Sequence, residues 1–156
     1  MSTSNKELCS KEAAMMAPTE SPIIHLASRG ISPVILLIGL YVFFHGHYSP
    51  GGGFQGGVLL AAAILLLRLS LGTSLSQPIM PSWITLRLSA LGALIFAGIG
   101  LVAILFGGNF LDYHYLPMPW LEPAYLRYYG ILMIEVGVTI TVMTTLVAIY
   151  DDLLGC

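Results

Sequence analysis

The sequence predicts an all-α integral membrane protein with four transmembrane helices and a tight glycine-rich hairpin between the first two. Three observations lead to this fold class: the composition, the apolar runs and a cluster of glycines. Of the 156 residues, 56% are hydrophobic and only 9% are charged, whereas a soluble domain carries about 25% charged residues. A soluble chain of this length needs more charge to cover its surface, so lipid is the expected solvent.

The charge balance and the residue spacing exclude several other classes of protein. Six basic and eight acidic side chains give a net charge of -2, which argues against a nucleic-acid partner because such proteins present a basic face. Cys9 and Cys156 lie near opposite ends of the chain, which is typical of two free thiols rather than of a disulfide framework. The sequence offers no Ser–His–Asp order, paired carboxylates or cofactor fingerprint, so we expect neither an enzyme nor a bound cofactor.

Four apolar runs are predicted to span the membrane, since a spanning helix needs about 20 mostly apolar residues. The third and fourth runs, LRLSALGALIFAGIGLVAILF and GILMIEVGVTITVMTTLVAIY, are long enough alone. The first two approach spanning length only when they extend into the glycine-rich segment between them. Within a membrane domain at 23–156, Arg68 is expected to reach the headgroups from its helix end. The predicted helices are 31–47, 52–71, 86–108 and 130–150.

The segments outside the helices are predicted from their composition. Residues 1–22 combine charges with Ser, Thr and Pro and are expected to form a flexible cytoplasmic tail without a signal peptide. The loop at 110–129 is rich in Tyr and Pro and is expected to lie along the membrane–water boundary. Five of the six Lys and Arg residues lie in the N-terminal segment or beside the second loop, and one lies in the third loop. Because basic residues concentrate on the cytoplasmic side, this distribution predicts that both termini are cytoplasmic.

The segment SPGGGFQGG between the first two helices is the most specific feature of the sequence. Five glycines in nine residues would destabilise a helix. We therefore expect this segment to have a specific structural role. Pro50 and Gly51 are predicted to form a tight turn. Gly53, Gly57 and Ala61 are spaced by four and would form a smooth stripe that another helix approaches closely. A flexible hairpin tip without a packing partner stays open, whereas a phosphate-binding loop lacks its Lys-Ser/Thr signature.

Glu135 is the acid that lies well inside a predicted span. An intramembrane charge costs about 2.5 kcal/mol or more, so this group faces protein or water, is neutral, or has a partner. Two roles stay open: a group on a proton or ion path, and a hydrogen-bonded packing acid. Thr139 follows one turn later on the same face. Gly137, Thr141 and Thr145 form a second small-residue stripe on nearly the opposite face, which favours contacts on two sides and a larger assembly.

Two histidines, His45 and His47, lie at the predicted end of the first helix. Side chains at i and i+2 on a helix do not face each other, and a metal site would need further ligands, for which His114 is a candidate. We therefore expect no metal site here. At the membrane boundary the two histidines are expected to carry protons or to form hydrogen bonds.

Several of these residues resemble the B subunit of the multisubunit sodium/proton antiporters, the MrpB or MnhB family. The similarity covers about residues 28–150 and includes the runs RGISP and HGH. Its most specific part joins the first two of the family's four helices. That part consists of Pro50, Gly51, Gly52, Gly53, Phe54, Gln55, Gly56 and Gly57. In the last helix, Glu135 stands where the family more often has Asp.

The resemblance implies a membrane subunit of a complex that exchanges cytoplasmic sodium for external protons across a prokaryotic cell membrane. It implies partners among the other membrane subunits, including subunits similar to those of respiratory complex I. Glu135, Thr139, His45 and His47 are then candidates for an ion or proton path, and the glycine run for helix packing. The alternatives are a homologous subunit of a membrane-bound hydrogenase or related ferredoxin-driven ion pump, and a self-contained small membrane protein.

Overall fold

Four long helices and one short 3-10 turn make up the residues described by this computed structural model, which are 21–46, 52–72, 80–117 and 122–153. Each of the four long helices is long and apolar enough to cross a membrane. This confirms the predicted all-α fold class with four spanning helices. The helices are α1 (Pro22–Phe44), α2 (Gly53–Leu71), α3 (Ser82–Leu105) and α4 (Pro123–Leu153), and the 3-10 turn is Tyr113–Tyr115.

The helix ends differ from the predicted ends, most clearly where a proline begins a helix. α1 begins at Pro22 rather than at 31, and α4 begins at Pro123 rather than at 130. Proline suits the first turn because its missing N–H would have no partner within the helix there. Apolar runs alone do not detect this start signal. The predicted tail ends where α1 begins, and the rest of it lies outside the described residues apart from Ser21.

α4 is the longest helix, at 31 residues, which is about 46 Å at a rise of about 1.5 Å per residue. The hydrocarbon core of a bilayer is about 30 Å thick, so α4 extends beyond it. Its first turns carry Tyr125, Tyr128 and Tyr129, which are between 42% and 57% exposed. The segment 123–129, predicted as part of a boundary loop, is therefore helical, although its tyrosines remain suited to the boundary.

The helices pack side by side in the order α1, α2, α4, α3. α2 packs against α1 and α4, and α4 packs against α2 and α3. A small buried core of Ala61, Met80 and Val147 lies between α2, the segment before α3, and α4. Two faces of α4 are thus occupied within this chain. The two-sided pattern of α4 is therefore satisfied by α2 and α3 within this chain.

Arg68 does not reach the headgroups, contrary to the prediction. It is only 2% exposed, and its guanidinium forms an ion pair with Asp151 near the end of α4. The same group donates a hydrogen bond to the main-chain oxygen of Met80. A nearby carboxylate and carbonyl replace the water that a snorkelling side chain would find. We call this the arginine end of the protein, and the opposite end, where α2 begins at Gly53, the glycine end.

Candidate functional site

At the glycine end, Glu135 of α4 lies against the first residues of α2. A Cβ added to Gly52 would lie 3.0 Å from Oε1 of Glu135. A Cβ added to Gly53 would collide with the main-chain oxygen of Glu135 and lie 2.9 Å from its Cα. These two glycines therefore let α4 approach α2 closely, and the approach places the carboxyl group of Glu135 at the start of α2.

The glycine run divides its contacts between two helices. Gly57 faces α4, where a Cβ would lie 2.9 Å from the main-chain oxygen of Thr139, and Gly56 faces α1, where a Cβ would lie 3.0 Å from Cβ of Phe43. Ala61, the next member of the stripe, is fully buried. Phe54 points outward and is 62% exposed. Pro50 and Gly51, predicted to form the turn, lie outside the described residues.

Thr139 ties the two helices together one turn beyond Glu135. Its hydroxyl oxygen lies 2.9 Å from the main-chain oxygen of Gly53 on α2 and 2.7 Å from that of Glu135 on α4. A hydroxyl has one proton to donate, so it serves these two acceptors in turn or shares it between them. Because Thr139 is buried, this contact fixes the position of α2 relative to the main chain at Glu135.

The start of α2 is also an electrostatic feature. A helix N-terminus carries about half a positive elementary charge, and α2 has neither an acid in its first turn nor a side chain that caps it. Glu135 supplies a carboxyl group to this position from a different helix. Glu135 is itself only partly buried. The arrangement favours a negative charge at the glycine end.

A phenol that the sequence analysis did not single out completes the site. The ring of Tyr113, at the start of the 3-10 turn, lies on Gly130 of α4, where a Cβ would be 2.6 Å from Cδ1 of the ring. Burial raises the pKa of Tyr113 above its usual range, and the negative charge of Glu135 adds to this rise in pKa. The phenol therefore keeps its proton at neutral pH and stays a hydrogen-bond donor. The sequence analysis missed this contact because no rule of residue spacing relates a tyrosine in a loop to a glycine on a helix.

Two of the predicted histidines, His45 and His114, lie within the described residues. His45 follows the end of α1, where its Nδ1 lies 3.1 Å from the main-chain oxygen of Tyr41 and the two rings stack at 4.1 Å. His114 is exposed on the 3-10 turn, and His47 lies outside the described residues. Within the described parts of the chain, no three His, Cys, Asp or Glu side chains are grouped so as to hold a metal ion.

The middle of the protein separates its two polar ends. No titratable side chain occurs in the central parts of the four described helices, which are 31–40, 53–67, 88–105 and 136–149. The hydroxyls there bond within their own helix or to a neighbouring helix: Thr144 donates to the main-chain oxygen of Ile140 at 2.7 Å, and Ser89 lies 2.8 Å from Thr145 across α3 and α4. Titratable side chains therefore do not form a continuous row from one end of these helices to the other.

Comparison with known proteins identifies the family. A family profile described as a domain related to the MnhB subunit of Na+/H+ antiporter matches residues 23–148. This chain belongs to the MnhB family. The matched MnhB region contains the glycine run, Arg68, Tyr113 and Glu135, whereas Asp151 lies just beyond it.

Two bacterial relatives match this MnhB protein over most of their own length. The B subunit of a Na(+)/H(+) antiporter of Bacillus subtilis is 30% identical over 136 residues, which are 82% of this chain and 94% of the relative. The corresponding antiporter protein of Alkalihalophilus pseudofirmus, also named as a B subunit, is 30% identical over 131 residues, which are 80% of this chain and 90% of the relative. The resemblance found in the sequence is thereby confirmed.

Proposed function

We propose that this chain is the B-type membrane subunit of a multisubunit Na+/H+ antiporter in a bacterial cell membrane. The family match over 23–148 supports this function, as do two bacterial relatives that are named as B subunits of such antiporters. Both relatives are named for antiport, which favours this function over that of a hydrogenase-type or ferredoxin-driven complex. The four spanning helices fit a subunit that works inside the bilayer.

The partners of the chain are proposed to be lipid and the other membrane subunits of the complex. Because the four helices stand in one row, large apolar side chains are exposed along them, for example Leu26 at 77% and Leu86 at 72%. Apolar surface of this extent is stable only against lipid tails or other membrane helices. Complex-I-like subunits are included among the proposed neighbours because the family resemblance implies them.

Glu135 is proposed to take up and release protons, or to hold a cation, at the glycine end. The observation that carries this role is the position of its carboxyl group, against the start of α2 and beside Gly52. An intramembrane acid is a candidate for an ion or proton path by default. His45 lies at the same end of the protein. Thr139 is assigned to holding α2 and α4 together rather than to conduction, because its hydroxyl is engaged by main-chain oxygens.

The orientation and the extent of the path follow from the same features. The excess of Lys and Arg before α1 and around the second loop favours a cytoplasmic arginine end and an external glycine end. The central parts of the described helices carry no titratable side chain that could pass a proton along them. The path from Glu135 is therefore proposed to continue through a neighbouring subunit.

The test replaces Glu135 in the complete complex and measures Na+/H+ antiport in membrane vesicles over a pH series. Glu135→Gln keeps the shape and the hydrogen-bonding capacity but cannot titrate, so the complex should assemble while antiport falls or loses its pH dependence. Glu135→Asp should keep part of the activity because the group still titrates. Glu122→Gln, at an exposed acid just before α4, is the matched control. Full antiport by the Glu135→Gln complex at every pH would contradict the proposed role.

A further inference from the structure

An apolar groove lies between α3 and α4, beside the loop that joins them. The two helices touch where a Cβ on Gly92 would lie 2.6 Å from the main-chain oxygen of Gly137. Beyond that contact the groove has a volume of about 630 Å³, within the range of small-molecule sites. Nothing lies within 4 Å of a Cβ on Gly98, so the groove is open at Gly98. The side chains that line it are apolar, among them Leu94, Val102, Leu116, Leu132 and Val136.

The side of α3 that borders the groove also carries Arg87, near the start of the helix. Four residues follow Arg87 on this side, all within about 80° around a helix of about 3.6 residues per turn: Leu91, Leu94, Gly98 and Val102. Leu91 and Leu94 are 50% and 68% exposed, so the surface between Arg87 and the groove is open in the described part of the chain. One continuous surface therefore joins a cation near the end of the span to an apolar groove.

The charge of Arg87 is directed toward the arginine end. Its guanidinium carbon lies 5.1 Å from the ring centre of Trp83, one turn earlier in α3. Trp83 is 60% exposed, and tryptophan favours the membrane–water boundary. Of the two acids at this end, Asp151 pairs with Arg68, and among the described residues Asp152 forms no ion pair with Arg87. The positive charge of Arg87 is therefore available to an anion from outside the described chain.

We propose that this surface binds one anionic phospholipid of the leaflet at the arginine end, with its phosphate at Arg87 and Trp83 and one acyl chain in the groove. Charge decides the occupant, because a guanidinium donates hydrogen bonds to a phosphate, while the apolar wall of the groove suits a hydrocarbon chain. A helix of another subunit on this surface would have to bury Arg87 and supply a carboxylate for it. A lipid leaves the charge at the level of the headgroups, where a long basic side chain is stable.

The distances along α3 fit one lipid. At about 1.5 Å per residue, Leu94 lies about 10 Å and Gly98 about 16 Å from Arg87 along the helix axis. One leaflet contributes about 15 Å of hydrocarbon, half of a core about 30 Å thick. An acyl chain whose headgroup is at Arg87 therefore ends in the groove, at the open space beside Gly98. The inference rests on the proposed function for the placement of the chain in a bilayer, and it does not depend on the role of Glu135.

The experiment adds phosphatidylglycerol with a diazirine at the end of one acyl chain to the complete complex in mild detergent. Mass spectrometry then maps the photolabelled peptides, and the label is expected on the α4 wall of the groove, at Leu132 and Met133. Arg87→Gln should weaken the binding of phosphatidylglycerol, measured by competition with the unlabelled lipid, by about fivefold. Gly98→Leu should abolish the label, because its side chain occupies the groove without colliding with the described residues.

The matched controls make the same changes on α1, away from the groove. Arg29→Gln removes an exposed arginine, and Gly30→Leu fills a position where nothing lies within 4 Å of a Cβ; both should leave the binding of the lipid unchanged. Equal weakening by Arg29→Gln and Arg87→Gln would overturn the inference, since it would show only a general attraction of basic residues for the lipid. A groove without label in the complete complex would also overturn it. A complex that binds the lipid but shows no Na+/H+ antiport would contradict the proposed function and leave the inference standing.

Discussion

The two ends of this MnhB protein both hold an acid of α4, and they hold it in different ways. At the arginine end, Asp151 is buried and forms an ion pair with Arg68, which is 2% exposed. At the glycine end, Glu135 is partly buried and lies against the main chain of α2. One acid faces a full positive charge, and the other faces the start of a helix.

This difference is the basis for assigning a structural role to Asp151 and for proposing an exchange role for Glu135. A buried carboxylate paired with Arg stays charged, because neutralising it would leave the guanidinium without compensation in a medium of low polarity. The arginine end is therefore suited to holding helices together, and the glycine end is the one that we propose for proton or ion exchange.

The largest expected effect concerns the arginine end. Arg68→Met leaves Asp151 buried without its partner, which should lower the free energy of unfolding by about 3–5 kcal/mol. The measurement is the thermal stability of the purified complex in mild detergent. Replacing both residues, as Arg68→Met with Asp151→Leu, should recover much of the loss because no charge is then left buried.

The control for that prediction is Arg87→Met. Arg87 is exposed and lies 5.1 Å from the ring centre of Trp83, a contact worth about 0.5–1 kcal/mol at an exposed site. Equal stability of the Arg68→Met and Arg87→Met complexes would show that the buried ion pair does not hold the arginine end together.

A smaller effect is expected from the close approach at the glycine end. A Cβ on Gly53 would collide with the main chain of Glu135, so Gly53→Ala should force α2 and α4 apart and cost about 1–3 kcal/mol. Antiport should fall with it, because the carboxyl group moves away from the start of α2. Thermal stability and antiport of the same preparation are the two measurements.

The matched control for this close approach is Gly30→Ala. Nothing lies within 4 Å of a Cβ at Gly30, and Ala is favoured over Gly in a helix by about 1 kcal/mol. The control should therefore be neutral or slightly stabilising in the isolated chain. If Gly53→Ala is as stable as Gly30→Ala, the contact between α2 and α4 is looser than described.

The smallest effect concerns the alkaline stability of the glycine end. Because the pKa of Tyr113 is raised in the folded protein above 10.0, the folded state favours the neutral phenol. Its contribution to stability is present below the pKa of free tyrosine and is lost as the pH rises toward the raised value. The unmodified complex should thus lose more stability above pH 10 than Tyr113→Phe does. Tyrosinate absorbance during the titration checks the order of ionisation, and an equal loss in both proteins would contradict the assignment.

The sequence predicts the helices better than their ends. Apolar runs of spanning length reveal four helices because the bilayer imposes a minimum length on each. The first turns of α1 and α4 are missed because polar side chains, such as Arg29 in α1 and Arg127 in α4, interrupt the apolar runs there. The signal for each start is a single proline at the first position, Pro22 or Pro123. Tyrosines in the first turns of α4 suit a boundary loop and a boundary helix equally well.

The candidate site is predicted only as far as local spacing reaches. Glu135 and Thr139 share a face because they are one turn apart, and Gly53 and Gly57 form a stripe for the same reason. The partners of these groups come from distant parts of the chain. Packing brings Arg68 to Asp151 and Tyr113 to Gly130. Without knowledge of that packing, the position of Arg68 at a helix end predicts that its side chain snorkels to the headgroups.

The uncharged middle of the described helices also bears on how such a complex is built. Subunits of a multisubunit transporter enter the membrane one at a time, and a copy with a complete row of titratable groups would leak protons while it waited for its partners. In this chain the row is interrupted between the arginine end and Glu135. If the proposed path continues through a neighbouring subunit, assembly of the complex would complete the row that the described helices of one copy leave interrupted.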